Sequence, residues 1–474
     1  GALLVAGCDE PRTGPLVVSG IGDEPDLVNP NLVPLDTASS LLVQSTAQGL
    51  VAFNAAGEIE PALAQSWIVS DDGLRYTFRI RRTNWADGSR VTAEQVVARL
   101  RAAASEASRN PLKPLLGAIE EIVPMTEEVL EISLKSPRPT FLQLLAQPEM
   151  AIIREGMGTG PFHMVREGDG FVALHLPTEE EEEAQPQEDE EAPTLRLRGD
   201  PPALAVARFM GGKADLITGG TAGDLPIARA AEPGDALRFD PVAGLLGLSF
   251  GNWGGILEDG AVRRALSIAI DRQALVAALG VPDLQPRVTL VPPGIAELPQ
   301  PAAPGWAPLP LPMRRAQATA AIAEASGGAP VALRVAMPEG PGYRLIFAHL
   351  RCDWRAIGVE ARAVPQNDAS ADLHFIDRVA PVELASWYLR QFTCAASAVC
   401  DPAADELLAA ARITADPRVR RLLLSNADRV LTDTVAFIPI AAPVRWSLVA
   451  PRLTGFRTNV FGHHSLDDLI AAEP

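Results

Sequence analysis

The run from Pro61 to Val97, PALAQSWIVSDDGLRYTFRIRRTNWADGSRVTAEQVV, constrains the fold more than any other stretch, because three local signals follow one another in it. Trp67 to Arg82 has the pattern of a hairpin. An apolar strand leads into Asp71-Asp72-Gly73, a turn suited to positive φ, and Tyr76, Phe78 and Ile80 then alternate with Thr77, Arg79 and Arg81. A helix start follows: Thr92 is a suitable N-cap, Gln95 three residues later completes a reciprocal capping box, and Val96, Val97 and Leu100 supply an inward face.

The chain has 474 residues, more than one core supports, so two or more lobes are expected. Its formal charge of −18 argues against nucleic acid as a partner, since phosphate binding needs a basic face. Half of that charge is local: Glu179 to Glu191 carries nine acidic residues, no basic one and no apolar periodicity, the pattern of a solvated loop or, alternatively, a docking tract. Eight prolines between Val291 and Pro312 exclude a long helix or central strand there. Val262 to Gly280 places Val262, Ala265, Leu266, Ala269 and Val276 on one helical face, with Gly280 as C-cap. Asp401-Pro402 and Asp416-Pro417 each pair an N-cap with a proline at the first helical position. A strand and a helix containing Leu41, Leu42, Thr46 and Leu50 are expected in residues 16–60.

The order Pro61, Leu63-Ala64, Ser66-Trp67, then Asp72-Gly73, Tyr76, Phe78, Ile80-Arg81, then Trp85, Asp87-Gly88, Val91 to Val96 resembles the extracellular solute-binding proteins of family 5. These are the oligopeptide-, dipeptide- and nickel-binding group that serves ABC importers. Further blocks follow in the family's order: Asp23-Glu24-Pro25, Gly158 to Phe162, Val262 to Leu266, Ala269 to Arg272, Gly358-Val359, Ile438-Pro439-Ile440 and Gly455-Phe456. The resemblance covers roughly residues 16–465 and implies an α/β, two-lobed periplasmic-binding-protein type II fold with an extra strand-rich subdomain in the first lobe. The expected organisation is a signal remnant and linker over residues 1–15, lobe 1 over 16–244 with the subdomain at about 61–150, lobe 2 over 245–439, and a return to lobe 1 over 440–474. Crossings are expected near Leu245 to Asn252 and Phe437 to Trp446, with hinge closure over a trapped ligand.

Leu3 to Cys8 resembles the end of a lipoprotein signal, which makes Cys8 the expected lipidated N-terminus and places the protein in the periplasm or cell envelope. The resemblance also implies a disulfide between Cys394 and Cys400, which bracket CAASAVC; a metal site there would want a second cysteine pair or histidines nearby. Cys352 is then expected as a buried thiol.

Relative to peptide-binding members the chain departs at two anchors. Ala380 stands before Pro381 where an acidic residue is usual, and Ala336-Met337-Pro338-Glu339 occupies the place of a carboxylate-binding arginine. Asp377 and Arg378 are expected at the cleft edge, either orienting a polar ligand together or pointing to opposite sides. Asn252, Trp253, Trp387, Tyr388 and Trp446 are further candidates for ligand contact, each aromatic also being a candidate for plain core packing, and Glu24 completes the set. The six histidines are scattered, so no metal or other cofactor is expected. No Ser/His/Asp order, phosphate loop or acid/base pair supports an enzyme. The expected function is binding of an oligopeptide or another extended polar solute by a monomer that serves a membrane permease. A non-transport envelope receptor or scaffold is the alternative.

Overall fold

The computed structural model describes residues 14–176, 194–251 and 254–470. Cys8, Asn252, Trp253 and the acidic tract 179–191 lie outside them. After β1 (Leu16–Ile21) the chain forms the pair β2 (Val51–Phe53) and β3 (Ile59–Pro61). A small antiparallel sheet follows, ordered β4-β5-β7-β6, from β4 (Ala64–Val69), β5 (Arg75–Ile80), β6 (Ile119–Pro124) and β7 (Val129–Leu134). Its turn is the one the Asp-Asp-Gly sequence predicts: the Gly73 amide donates to the Ser70 carbonyl at 2.8 Å, with Gly73 at φ 68°. Tyr76, Phe78 and Ile80 are buried in alternation, while β4 is an edge strand with Ile68 exposed. The helix Ala93–Ala104 has the full capping box, and the Gln95 amide oxygen that completes it also accepts from the buried Trp85 indole at 2.8 Å. Such a cap contributes about 1 kcal/mol.

The chain then runs through β8 (His163–Arg166), β9 (Val172–His175), β10 (Leu195–Asp200), β11 (Leu216–Thr221) and β12 (Leu237–Asp240). It next enters a five-stranded sheet of β13 (Gly244–Phe250), β14 (Val331–Met337), β15 (Val359–Pro365), β16 (Leu373–Val379) and β17 (Phe437–Ala441), ordered β15-β14-β16-β13-β17. Finally β18 (Arg445–Val449) returns to the first sheet, which has seven strands in the order β12-β18-β11-β1-β10-β9-β8. The chain therefore passes between the sheets at residues 241–243 and 442–444. Each sheet is the centre of one lobe.

Three expectations need correction. Val262 to Gly280 is two helices, Gly260–Ile268 and Arg272–Leu279, because Asp271 caps the second by accepting from the Ala274 amide. The carbonyls of Ile268 and Ile270 at the break accept from Arg314, and that of Ala269 from Arg315, so the missing helical bonds are replaced from a distant helix. Gly280 does end the pair as a left-handed cap at φ 59°. Leu50 lies beyond the first helix, Thr37–Thr46. Cys352 is exposed: on the helix Pro341–Arg355 the buried face is Ile346, Leu350 and Trp354, and residue 352 falls on the other side. Both Asp-Pro pairs open helices, Pro402–Ile413 and Pro417–Thr434, with the aspartate side chain accepting a backbone amide in each.

Candidate functional site between the lobes

Strands β1, β10 and β11 are mutually parallel, as are β14, β15 and β16. The first crossing enters β13 at Gly244, opposite the carboxyl end of β16 at Val379; the second enters β18 at Arg445, opposite the carboxyl end of β11 at Thr221. Both sheets thus turn their carboxyl edges toward the connection between them, the side on which open α/β sheets hold ligands.

A polar cluster forms at that junction. Asp377 on β16 accepts from the Tyr343 hydroxyl at 2.6 Å with one oxygen and from the Arg445 guanidinium at 2.8 Å with the other. Its side chain is only 5% exposed against 20% for Arg445, so this is a largely desolvated pair, the kind that is costly to break by removing one partner. Tyr343 is buried in the first turn of Pro341–Arg355, edge-on to Phe375 at 5.6 Å. Burial, and then the Asp377 carboxylate, push its hydroxyl pKa far above the ordinary value, so it remains a donor. Asp224 accepts from the Thr221 hydroxyl at 3.0 Å, and burial with the nearby Asp377 charge raises its carboxyl pKa. The Thr221 carbonyl accepts from the Trp446 indole at 2.9 Å.

The lobes touch through backbone at this point. The Gly342 amide donates to the Gly223 carbonyl at 2.8 Å. A Cβ on Gly342 would stand 1.8 Å from the Ala222 oxygen, and one on Gly223 would stand 2.4 Å from the Tyr343 ring. A second seam joins the subdomain side to the second lobe. The buried Gln147 amide donates to the Pro381 carbonyl and its oxygen meets His463 Nε2 at 3.0 Å.

Of the residues singled out in the sequence, Asp377 is at the centre of the cluster. Arg378 is not with it: as the next residue on the strand it points away, is exposed, and donates to Gln391 at 2.8 Å. Trp446 is 1% exposed in the first sheet, its ring lying against Gly220, which makes it a packing residue of the hinge-side core. Trp387 and Tyr388 are likewise buried, on the short helix Ala385–Arg390, edge to face at 4.8 Å; they belong to the core of the second lobe. Glu24 is exposed on the loop after β1, next to Gly170. Ala380 is buried, leaving no carboxylate beside Pro381. Cys394 and Cys400 are joined in a disulfide with Cα atoms 5.0 Å apart. Among the described residues no group of three His, Cys, Asp or Glu side chains is arranged to hold a metal ion. Tyr343, Arg445, Thr221 and Asp224 were not anticipated. The available signal was the small-residue spacing in Gly219-Gly220-Thr221-Ala222-Gly223 and Gly340-Pro341-Gly342, which marks close backbone approach.

His463 gives the second seam a pH dependence. Burial, and then its neighbour His464, lower its pKa from 6.5 to about 4. A base whose pKa is depressed by folding takes up protons more readily when unfolded, so stability should fall as pH drops from 6.5 through about 4. Urea titrations across that window should show a shallower loss for His463→Gln than for the unaltered protein; identical slopes would remove His463 from the account.

The sequence model of the bacterial extracellular solute-binding proteins, family 5 Middle, matches residues 58–390. The probable deoxycholate-binding periplasmic protein YgiS of Escherichia coli is 27% identical over 304 residues, 57% of this chain and 56% of that protein, so the match spans little more than half of this curated relative. The structure is similar to that of the E. coli murein tripeptide binding protein MppA, with a TM-score of 0.80 at 20% identity over 96% of this chain and 98% of that one. Against the unliganded open form of MppA the TM-score is 0.65 at 21% identity, over 94% of each chain.

Proposed function

Because the chain belongs to the bacterial extracellular solute-binding proteins of family 5, the binding components of ABC importers, we propose that it captures an oligopeptide or similar extended polar solute between its lobes and delivers it to a membrane permease. The observation that carries this reading is the Asp377–Tyr343–Arg445 cluster, which draws on both lobes where the carboxyl edges of their sheets meet. Closure assembles it, and closure is the state a permease can recognise. The better superposition on the first MppA structure than on its open form supports a closed arrangement here. A peptide-class solute is favoured by that relative's murein tripeptide, and the reaction is binding, with no bond broken. We place the monomer outside the cytoplasmic membrane, held by a lipid on Cys8. No helix among the described residues is long and apolar enough to cross a bilayer.

The scaffold alternative draws on one feature. Both oxygens of Asp377 already accept a hydrogen bond within the protein and Arg445 offsets its charge, which makes this carboxylate a weaker anchor for a peptide ammonium. Native mass spectrometry of protein purified without denaturation from its own cells separates the two. Capture predicts an adduct of small mass that disappears on unfolding. A bare chain under all growth conditions favours the scaffold, and turnover of the released molecule would end both readings.

A further inference from the structure

A cavity lies apart from the Asp377 cluster and shares no residue with it. It is an open groove between the small-sheet subdomain and the second lobe, with about 440 Å³ of empty space when the solvent at its mouth is counted and about 30 Å³ in which a water-sized sphere can be centred. Leu115, Phe141 and Leu144 wall one side, and Val382 and Leu384 the other. Three arginines, Arg138, Arg390 and Arg412, also line it, with the hydroxyl residues Thr140 and Ser386.

The charge balance is one-sided. Arg138 is 7% exposed and donates only to the carbonyls of Pro137 at 3.1 Å and Arg412 at 3.2 Å. Among the described residues the side chains of Arg390 and Arg412 meet no carboxylate. Arg420 stands behind them, and the acid acting on this group, Glu297, is already paired with Arg420 at 2.7 Å. Burial and then Arg420 lower the Arg138 pKa to about 10, the mark of cations crowded without enough anions. Arg138 is buried, Arg390 half-buried and Arg412 exposed at the mouth, so the surplus of cations runs from the interior to solvent beside an apolar wall, where an anion would offset it.

We propose that this cavity binds an organic anion with an apolar body, its carboxylate or sulfate head between Arg390 and Arg412 and its body against Phe141 and Leu144. The planar fork of arginine suits such heads. The two walls come from different parts of the chain and are held together by the Ser136 hydroxyl on the Arg412 carbonyl at 3.0 Å and by Arg420 on the Pro137 carbonyl at 3.1 Å. An occupant therefore favours the closed form, since opening separates its walls. On the reading that the lobes close on a solute, occupants of this site and of the central cleft raise each other's affinity, because both favour the closed form.

Calorimetric titration of the full chain with octanoate, octyl sulfate and octylammonium tests this. Both anions should bind one per chain, with the cation at least about tenfold weaker. The double variant R390Q/R412Q, which removes no internal ion pair, should weaken both anions by about tenfold or more. Equal binding of the cation, unchanged anion affinity in the double variant, or no anion binding at millimolar concentration would overturn the proposal. The anion-to-cation comparison uses the unaltered protein, so it decides even where the double variant melts early.

Discussion

Replacing Gly342 by valine is expected to hold the lobes apart and to weaken solute capture by at least about 100-fold, equivalent to about 2.7 kcal/mol. The new Cβ would lie 1.8 Å from the Ala222 oxygen and 2.8 Å from its carbonyl carbon. Backbone stands on both sides of this clash, so no rotamer relieves it. Separation also removes the Gly342–Gly223 hydrogen bond and draws Tyr343 and Asp377 away from Arg445. Each lobe keeps its own sheet, so the variant should fold and melt cooperatively while small-angle scattering reports a larger radius of gyration. A variant with the parent's scattering and affinity would show that this contact has no part in closure.

Trp446→Ala carries the largest expected effect on stability, a loss of about 3–5 kcal/mol. The ring is 1% exposed and β18 is central, between β12 and β11. Truncation leaves a cavity over Gly220, where an added Cβ would come within 2.1 Å of the indole, and strips the Thr221 carbonyl of its donor. Trp446→Phe refills part of the volume without the hydrogen bond and should lose less, roughly 1–3 kcal/mol. Urea denaturation measures both. If Trp446→Ala instead kept full stability and lost only ligand affinity, the residue would be a lining residue of the cleft, and its assignment to the core would fail.

What could be seen in the chain beforehand divides by range. The capping box of Thr92 and Gln95, the Gly73 turn and the two Asp-Pro helix starts depend on neighbours within a few residues, so the sequence displays all the partners. Asp377 was reachable from its place in a motif, but its partners Tyr343 and Arg445 lie 34 and 68 residues away, and no local pattern couples them. The break at Ala269 to Asp271 has the same origin, because the cations that satisfy its carbonyls sit on a helix some 45 residues later. Trp387, Tyr388 and Trp446 show the limit of residue type as a guide: a large aromatic suits a cleft and a core equally well, and burial alone decides. Cys352 was legible. The spacing of Ile346, Leu350 and Trp354 already assigns the inner face of that helix and leaves residue 352 outside it.

Closure of the two lobes on a solute would change the distance between them, and that distance reports it most directly. Dyes placed at the exposed positions Lys213 in the first lobe and Glu324 in the second would follow closure by single-molecule energy transfer. Protein purified without denaturation should occupy a short-distance population. The same protein stripped by unfolding and refolding should shift to a longer distance, and return when the small molecules released from it are added back. One unchanging distance distribution in all three samples would contradict closure on a solute.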